Sequence, residues 1–293
     1  MASIVSNIEH FFKQKSILST LIVVNLFVFL LIKVVGVIFL LFNLDNEAFL
    51  RIFELPASVS SLLYHPWTLI TYMFTHVNFL HILFNLLWLY WFGQIFLRFF
   101  GSKQLGGLYI LGGIVGGLLF ILSYNIFPYF KTATPISYLI GASASVMAIV
   151  FATAFYKKDY TINLLFLGNI KLIYIAIFFF ILDFVSINSN NPGGHIAHIG
   201  GALTGVYFAS SYRKGKDFTT WINSIIDKIV DFVTKKKEKP IKVIHKRPET
   251  DYEYNKRKNE QNKEIDKILD KIKKSGYDSL TESEKKFLFN AGK

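Results

Sequence analysis

The stretch ILSTLIVVNLFVFLLIKVVGVIFLLF, from Ile17 to Phe42, carries a single charged residue, Lys33. At about 1.5 Å of rise per residue, a helix of this length crosses a hydrocarbon layer about 30 Å thick. The run is too long for the apolar segment of a signal peptide and lacks a small-residue cleavage site, so it is expected to stay as a first membrane span. Lys33 is expected to snorkel or to find a polar neighbour inside a bundle.

The rest of the chain reads the same way. Of 293 residues, 52% are hydrophobic and 17% aromatic, with 30 phenylalanines, too much apolar surface for one water-soluble core. There is no cysteine, which removes disulfides, thiolate chemistry and cysteine-based zinc sites. The net charge of +12 lies mostly from Tyr212 onward, where 22 Lys and Arg stand against 14 Asp and Glu. A basic segment directly after a span reads as a topology anchor or a surface facing membrane lipid, not as a nucleic-acid site.

Five further spans are expected: Phe79 to Phe99, Leu105 to Phe127, Tyr138 to Tyr156, Lys171 to Ile187 and Gly194 to Tyr212. The fold class is therefore an all-α membrane protein, with six spans between 17 and 212. Lys and Arg concentrate on one side of these spans, which predicts that both termini, including residues 1–16, face the cytoplasm. The connection 43–78 is too long for a turn and carries apolar residues at partly helical spacing, as in a folded interfacial loop on the outer side. Small residues four apart, such as Ala197, Gly201 and Gly205, allow close helix packing in lipid.

Polar residues inside spans are costly and mark functional sites. His81 and Asn85 fall in the first turns of the second span, Ser143 near the start of the fourth and His198 near the start of the sixth. With these helices running the same way, all four groups share one depth. A serine hydroxyl needs an adjacent base, which His198 can supply, and an oxyanion needs donors, which the Ser143 amide, His81 and Asn85 can supply. Nothing in the spacing ties Asp183 to His198, so the expectation is a Ser143–His198 dyad. Metal binding is not expected: His76 and His81 are five apart and so do not project together from one helix, and no carboxylate is expected near them or near His195 and His198.

The residues reached in this way resemble those of rhomboid proteases. Phe74-Thr75-His76-Val77-Asn78-Phe79-Leu80-His81-Ile82-Leu83-Phe84-Asn85 is similar to the family's second-span motif. Gly141-Ala142-Ser143 is similar to its nucleophile motif, and Ala197-His198-Ile199-Gly200-Gly201 with Gly205 to its sixth-span motif. The resemblance covers about Asn43 to Tyr212. It implies a six-span rhomboid bundle of bacterial type, an inner-membrane serine endopeptidase that cuts transmembrane protein substrates near the outer face without a cofactor. Ser143 and His198 would be catalytic, His81 and Asn85 would line the oxyanion site with Gly141 shaping its turn, and Gly201 and Gly205 would pack near it. Ala144 stands where the family often has glycine, Met147 where it often has an aromatic residue, and Pro66-Trp67-Thr68 where many members carry Trp-Arg.

The tail is outside the resemblance. An apolar stripe within 213–233 predicts an amphipathic helix beside the membrane, 234–262 reads as a linker, and 263–293 as a small helical hairpin with a capping box at Thr281 and Glu284. No motif names the tail's partner. Two other readings stand beside the protease: a catalytically inactive rhomboid-like factor that binds membrane proteins, and a small transporter, which would show inverted repeats or broken spans.

Overall fold

The structure is a computed structural model that describes residues 16–164, 168–188, 191–234 and 250–291. The chain divides into two units, one up to Lys235 and one from Lys236. Of the expected segments, 1–15 and 235–249 lie outside the described residues.

The first unit is a helical bundle. Helix α1 (Ile17–Leu41) starts under a Ser16 cap, whose Oγ accepts from the Ser19 amide at 3.1 Å. It turns valines, leucines and phenylalanines outward, with Phe27 64% exposed and Val34 60% exposed. Such a face suits lipid and not water. Its one buried amide, Asn25, donates to Tyr109 Oη at 3.1 Å, so the polar group is satisfied inside the bundle. The connection to the next span folds into α2 (Asn46–Arg51), the short strand β1 (Leu55–Pro56), α3 (Val59–Tyr64) and α4 (Thr68–Thr71). Trp67 Nε1 donates to Ile52 O at 2.8 Å and Thr71 Oγ1 to Phe53 O at 2.9 Å, which closes this loop on itself.

Helix α5 (Phe79–Phe96) begins at Asn78, whose Oδ1 accepts from the Leu80 amide at 2.8 Å. Helix α6 (Ser102–Ile126) follows, and with α1 and α5 it is long and apolar enough to cross a membrane. The expected span from Tyr138 is corrected. Tyr138–Leu139 is a strand, β2, paired antiparallel with β1, and helix α7 runs only from Ser143 to Tyr156. A shorter helix suffices because α7 is the centre of the bundle: Ala144 through Ala154 are all buried, so protein and not lipid surrounds it.

After α7 the strands β3 (Thr161–Leu164) and β4 (Gly168–Lys171) pair antiparallel. Helices α8 (Leu172–Val185) and α9 (Pro192–Arg213) complete the bundle. Arg213 donates to the carbonyls of Phe155 and Tyr156 at 2.6 and 2.7 Å, capping the C-terminus of α7. Helix α10 (Thr220–Thr234) is tied to the start of α6 through Lys103–Asp227 at 2.7 Å, and the turn before it through Gln104–Asp217 at 2.9 Å. It leaves Trp221, Ile225 and Ile229 exposed along one stripe.

The second unit pairs α11 (Asp251–Ser275) with α12 (Glu282–Ala291). The linker expected to reach 262 is corrected here, because Thr250 and Glu253 form a reciprocal capping box that starts α11 at Asp251. Ile268 and Leu280 are buried within this unit, and Lys271 bridges to Glu284 at 2.9 Å. Glu284 also accepts from the Thr281 amide at 2.7 Å, and that bond, together with Lys271, holds its carboxyl down at about 2.

Candidate active site

The site is assembled at the starts of α5, α7 and α9. Gly141 sets the turn into α7 with φ of +109°, a conformation that a side chain strongly disfavours. A Cβ there would lie 2.7 Å from the His81 ring, so glycine also allows His81 to approach the backbone. The Gly141 amide donates to Tyr72 O at 2.9 Å, and Tyr72 Oη donates to Gly113 O at 2.6 Å, which fixes the turn to α6.

Ser143 is the first residue of α7, and its amide belongs to the opening turn, where N–H groups have no acceptor within the helix. Its Oγ lies 2.6 Å from His198 Nε2. His198 sits on α9, which is drawn against α7 because Gly201 has no side chain to strike the Ala144 carbonyl. Gly205 makes the same approach one turn further, against Ala148 O.

The dyad expectation is corrected by Asp183. His198 Nδ1 is 2.8 Å from Asp183 Oδ1, and His195 Nδ1 is also 2.8 Å from that oxygen. Asp183 is 7% exposed, so these two rings are its polar partners in place of water. A carboxylate can only accept, which assigns the proton to Nδ1 on both histidines and leaves His198 Nε2 with a lone pair toward the serine hydroxyl. The expectation that no carboxylate neighbours His195 and His198 is therefore also overturned, since α8 brings one from twelve and fifteen residues away.

His76 lies in the loop before α5 and not on the helix that carries His81. The two rings pack edge to face at 5.0 Å. Burial, reinforced by the neighbouring His81, pushes the His76 imidazole down to about 4, so the ring is neutral near pH 7. Its Nδ1 faces Phe74 O at 3.4 Å and its Nε2 accepts the Ala142 amide at 3.3 Å. His76 thus holds the Gly141–Ala142 turn, a positioning role absent from the sequence reading.

His81 and Asn85 line a cavity of about 410 Å³ together with Ser143, Met147 and His198. Asn85 Nδ2 donates to His81 O at 2.9 Å, which spends one of its two amide hydrogens and leaves the other for a ligand. The cavity walls from α5 and α8 are apolar, with Leu80, Phe84, Trp88 and Phe179. Ser145, two residues past Ser143, is fully buried in the helix packing, and its Oγ has no hydrogen-bond partner among the described residues.

A helical membrane bundle with a serine, a histidine and a carboxylate in line toward one end defines the class. The family model for the rhomboid domain matches residues 64–214, and the chain belongs to the rhomboid family. It is an integral membrane protein. A curated relative, the "RHOMBOID-like protein 12, mitochondrial" of Arabidopsis thaliana, is 31% identical over 163 residues, covering 51% of this chain and 47% of that protein. The chain thus spans about half the length of this relative. A second model, a family of unknown function, matches residues 249–290, the helical pair of the tail.

Proposed function

We propose that this chain is an intramembrane serine endopeptidase that cleaves transmembrane segments at the end of the bundle where Ser143 lies. The observation that carries the reading is the 2.6 Å approach of Ser143 Oγ to His198 Nε2, with Asp183 behind Nδ1 at 2.8 Å. His198 takes the hydroxyl proton as Oγ attacks the scissile carbonyl, and Asp183 holds the ring in the tautomer that can accept it. The oxyanion meets the Ser143 amide with His81 and Asn85, and His198 returns the proton to the leaving amine. Water then repeats the sequence on the acyl-enzyme. The apolar cavity walls suit an apolar substrate segment, and the charge asymmetry of the loops supports an orientation with both termini cytoplasmic.

The test is labelling by a serine-reactive fluorophosphonate and cleavage of a model transmembrane substrate by purified protein. Wild type should do both, Ser143→Ala and His198→Ala neither, and Ser145→Ala should keep substantial activity. Labelling that persists in folded Ser143→Ala and vanishes in Ser145→Ala would move the nucleophile. No labelling or cleavage by any form would favour an inactive membrane-protein binding factor.

A further inference from the structure

Two histidines share one carboxylate oxygen, and the hydrolysis proposed above needs only one of them. His195 Nδ1, His198 Nδ1 and Asp183 Oδ1 all lie within 4.8 Å of one another. We propose that these three residues form a binding site for a divalent transition metal ion, best matched by Zn²⁺, and that occupancy switches the Ser143–His198 pair off. The proposal rests on the protease reading only for its effect on activity, not for the site itself.

The donor set argues for zinc. Two imidazole nitrogens and one carboxylate oxygen, with a fourth position open, suit a tetrahedral ion of this kind better than the all-oxygen sets of magnesium or calcium. His195 and His198 are three apart on α9 and so project from one helix face. Both Nδ1 atoms lie 2.8 Å from the same oxygen, so an ion beside Asp183 is within reach of both rings. Bonds of about 2.0–2.1 Å require ligand atoms about 3.3 Å apart, which opens each imidazole–carboxylate pair by about 0.5 Å from its present 2.8 Å. The Asp183 carboxylate offsets part of the ion's charge in a buried setting, and the cavity that Asp183 and His198 line supplies room for a water as fourth ligand.

The effect on chemistry follows from proton accounting. A neutral imidazole carries one N–H, now on Nδ1 of each ring. Metal at Nδ1 moves that proton to Nε2, with no net proton gained or lost. His198 Nε2 then donates toward Ser143 Oγ instead of accepting from it. The hydroxyl cannot be activated, and both cleavage and fluorophosphonate labelling stop.

The experiment uses the full chain in detergent. Zn²⁺ is titrated against wild type and His195→Gln, each normalised to its own EDTA-treated labelling rate, and Co²⁺ is added to Ser143→Ala while its visible absorption is followed. Wild type should be inhibited and restored by EDTA, and His195→Gln should require at least about tenfold more Zn²⁺, since losing even an outer-shell partner of a ligand costs a metal site about 10–100-fold in affinity. Ser143→Ala should take up one Co²⁺ with a tetrahedral spectrum that Zn²⁺ displaces. Equal Zn²⁺ sensitivity in His195→Gln, no inhibition of wild type, or no Co²⁺ uptake by Ser143→Ala overturns the site. The uptake arm decides even where His195→Gln does not fold. Because that arm reads no proteolysis, uptake without any cleavage by wild type would count against the protease reading alone.

Discussion

Gly201→Ala tests whether close packing of α9 on α7 is what aligns the reacting pair. The added Cβ would overlap the Ala144 carbonyl oxygen and lie 2.8 Å from Ala144 C and 3.1 Å from its Cα. Carbon atoms rest at about 3.5 Å or more, so α9 must retreat by at least about 0.7 Å. His198 is one turn away on the same helix and Ser143 is the residue before Ala144, so the retreat stretches the 2.6 Å contact to about 3.3 Å, beyond the range of an O–H···N bond. A misplacement near 1 Å costs about 10²-fold in rate, or about 2.7 kcal/mol of barrier, and the overpacking itself about 1–3 kcal/mol of stability. Gly205→Ala meets Ala148 O and lies 2.8 Å from Ala152 N, one turn further from the site, and should lose similar stability with less loss of rate. Leu203→Ala, at a position 53% exposed, serves as the control and should change neither. The assay is kcat/KM on a model substrate alongside thermal unfolding in the same detergent. A Gly201→Ala protein that cleaves at the wild-type rate, or a Gly205→Ala protein that loses more rate than Gly201→Ala, would refute the reasoning.

Asp183→Ala should lower kcat by about 10²–10⁴-fold with little change in KM, because it releases the His198 tautomer and not the substrate; unchanged kcat would return the site to a dyad. His81→Ala and Asn85→Ala should each lower kcat by about 10²-fold or less, and wild-type rates in both and in the double variant would exclude them as oxyanion donors. In the tail, Glu284 has its carboxyl held low by the Thr281 amide and Lys271, so its stabilisation is complete above its ordinary value and lost as pH falls toward about 2. Protection factors of the amides in α11 and α12, each taken against the intrinsic exchange rate at the same pH, should therefore fall between about pH 5 and pH 3, and Glu284→Gln should be less protected already at pH 5 with a flatter profile; matching profiles would remove Glu284 as the cause.

Ser143, His198, His81 and Asn85 were legible from the sequence because polar residues in apolar helices stand out, and because equal distance from helix starts translates directly into equal depth. The reach of the apolar runs determined the all-α membrane class for the same reason: backbone groups in lipid must be satisfied within each helix. Asp183 shows where that logic stops. It lies two residues before the end of α8, about 3 Å in, while His195 and His198 lie about 4.5 and 9 Å into α9, so a hairpin of the two helices brings them level. Depth alone matched many residues, however, and only the rotation of α8 about its axis selects which side chain faces α9. That rotation depends on the packing of Leu172 and Ala176, buried along the same helix, and no local spacing encodes it. The helix start at Ser143 was likewise decided away from its own residues, by β1 pairing with Tyr138–Leu139 and by His76 and Tyr72 holding the turn. The sequence by itself determined the class of protein and which groups could react. The tertiary structure alone decided which carboxylate stands behind the base and how the turn before the nucleophile is held, because those contacts join residues far apart in the chain.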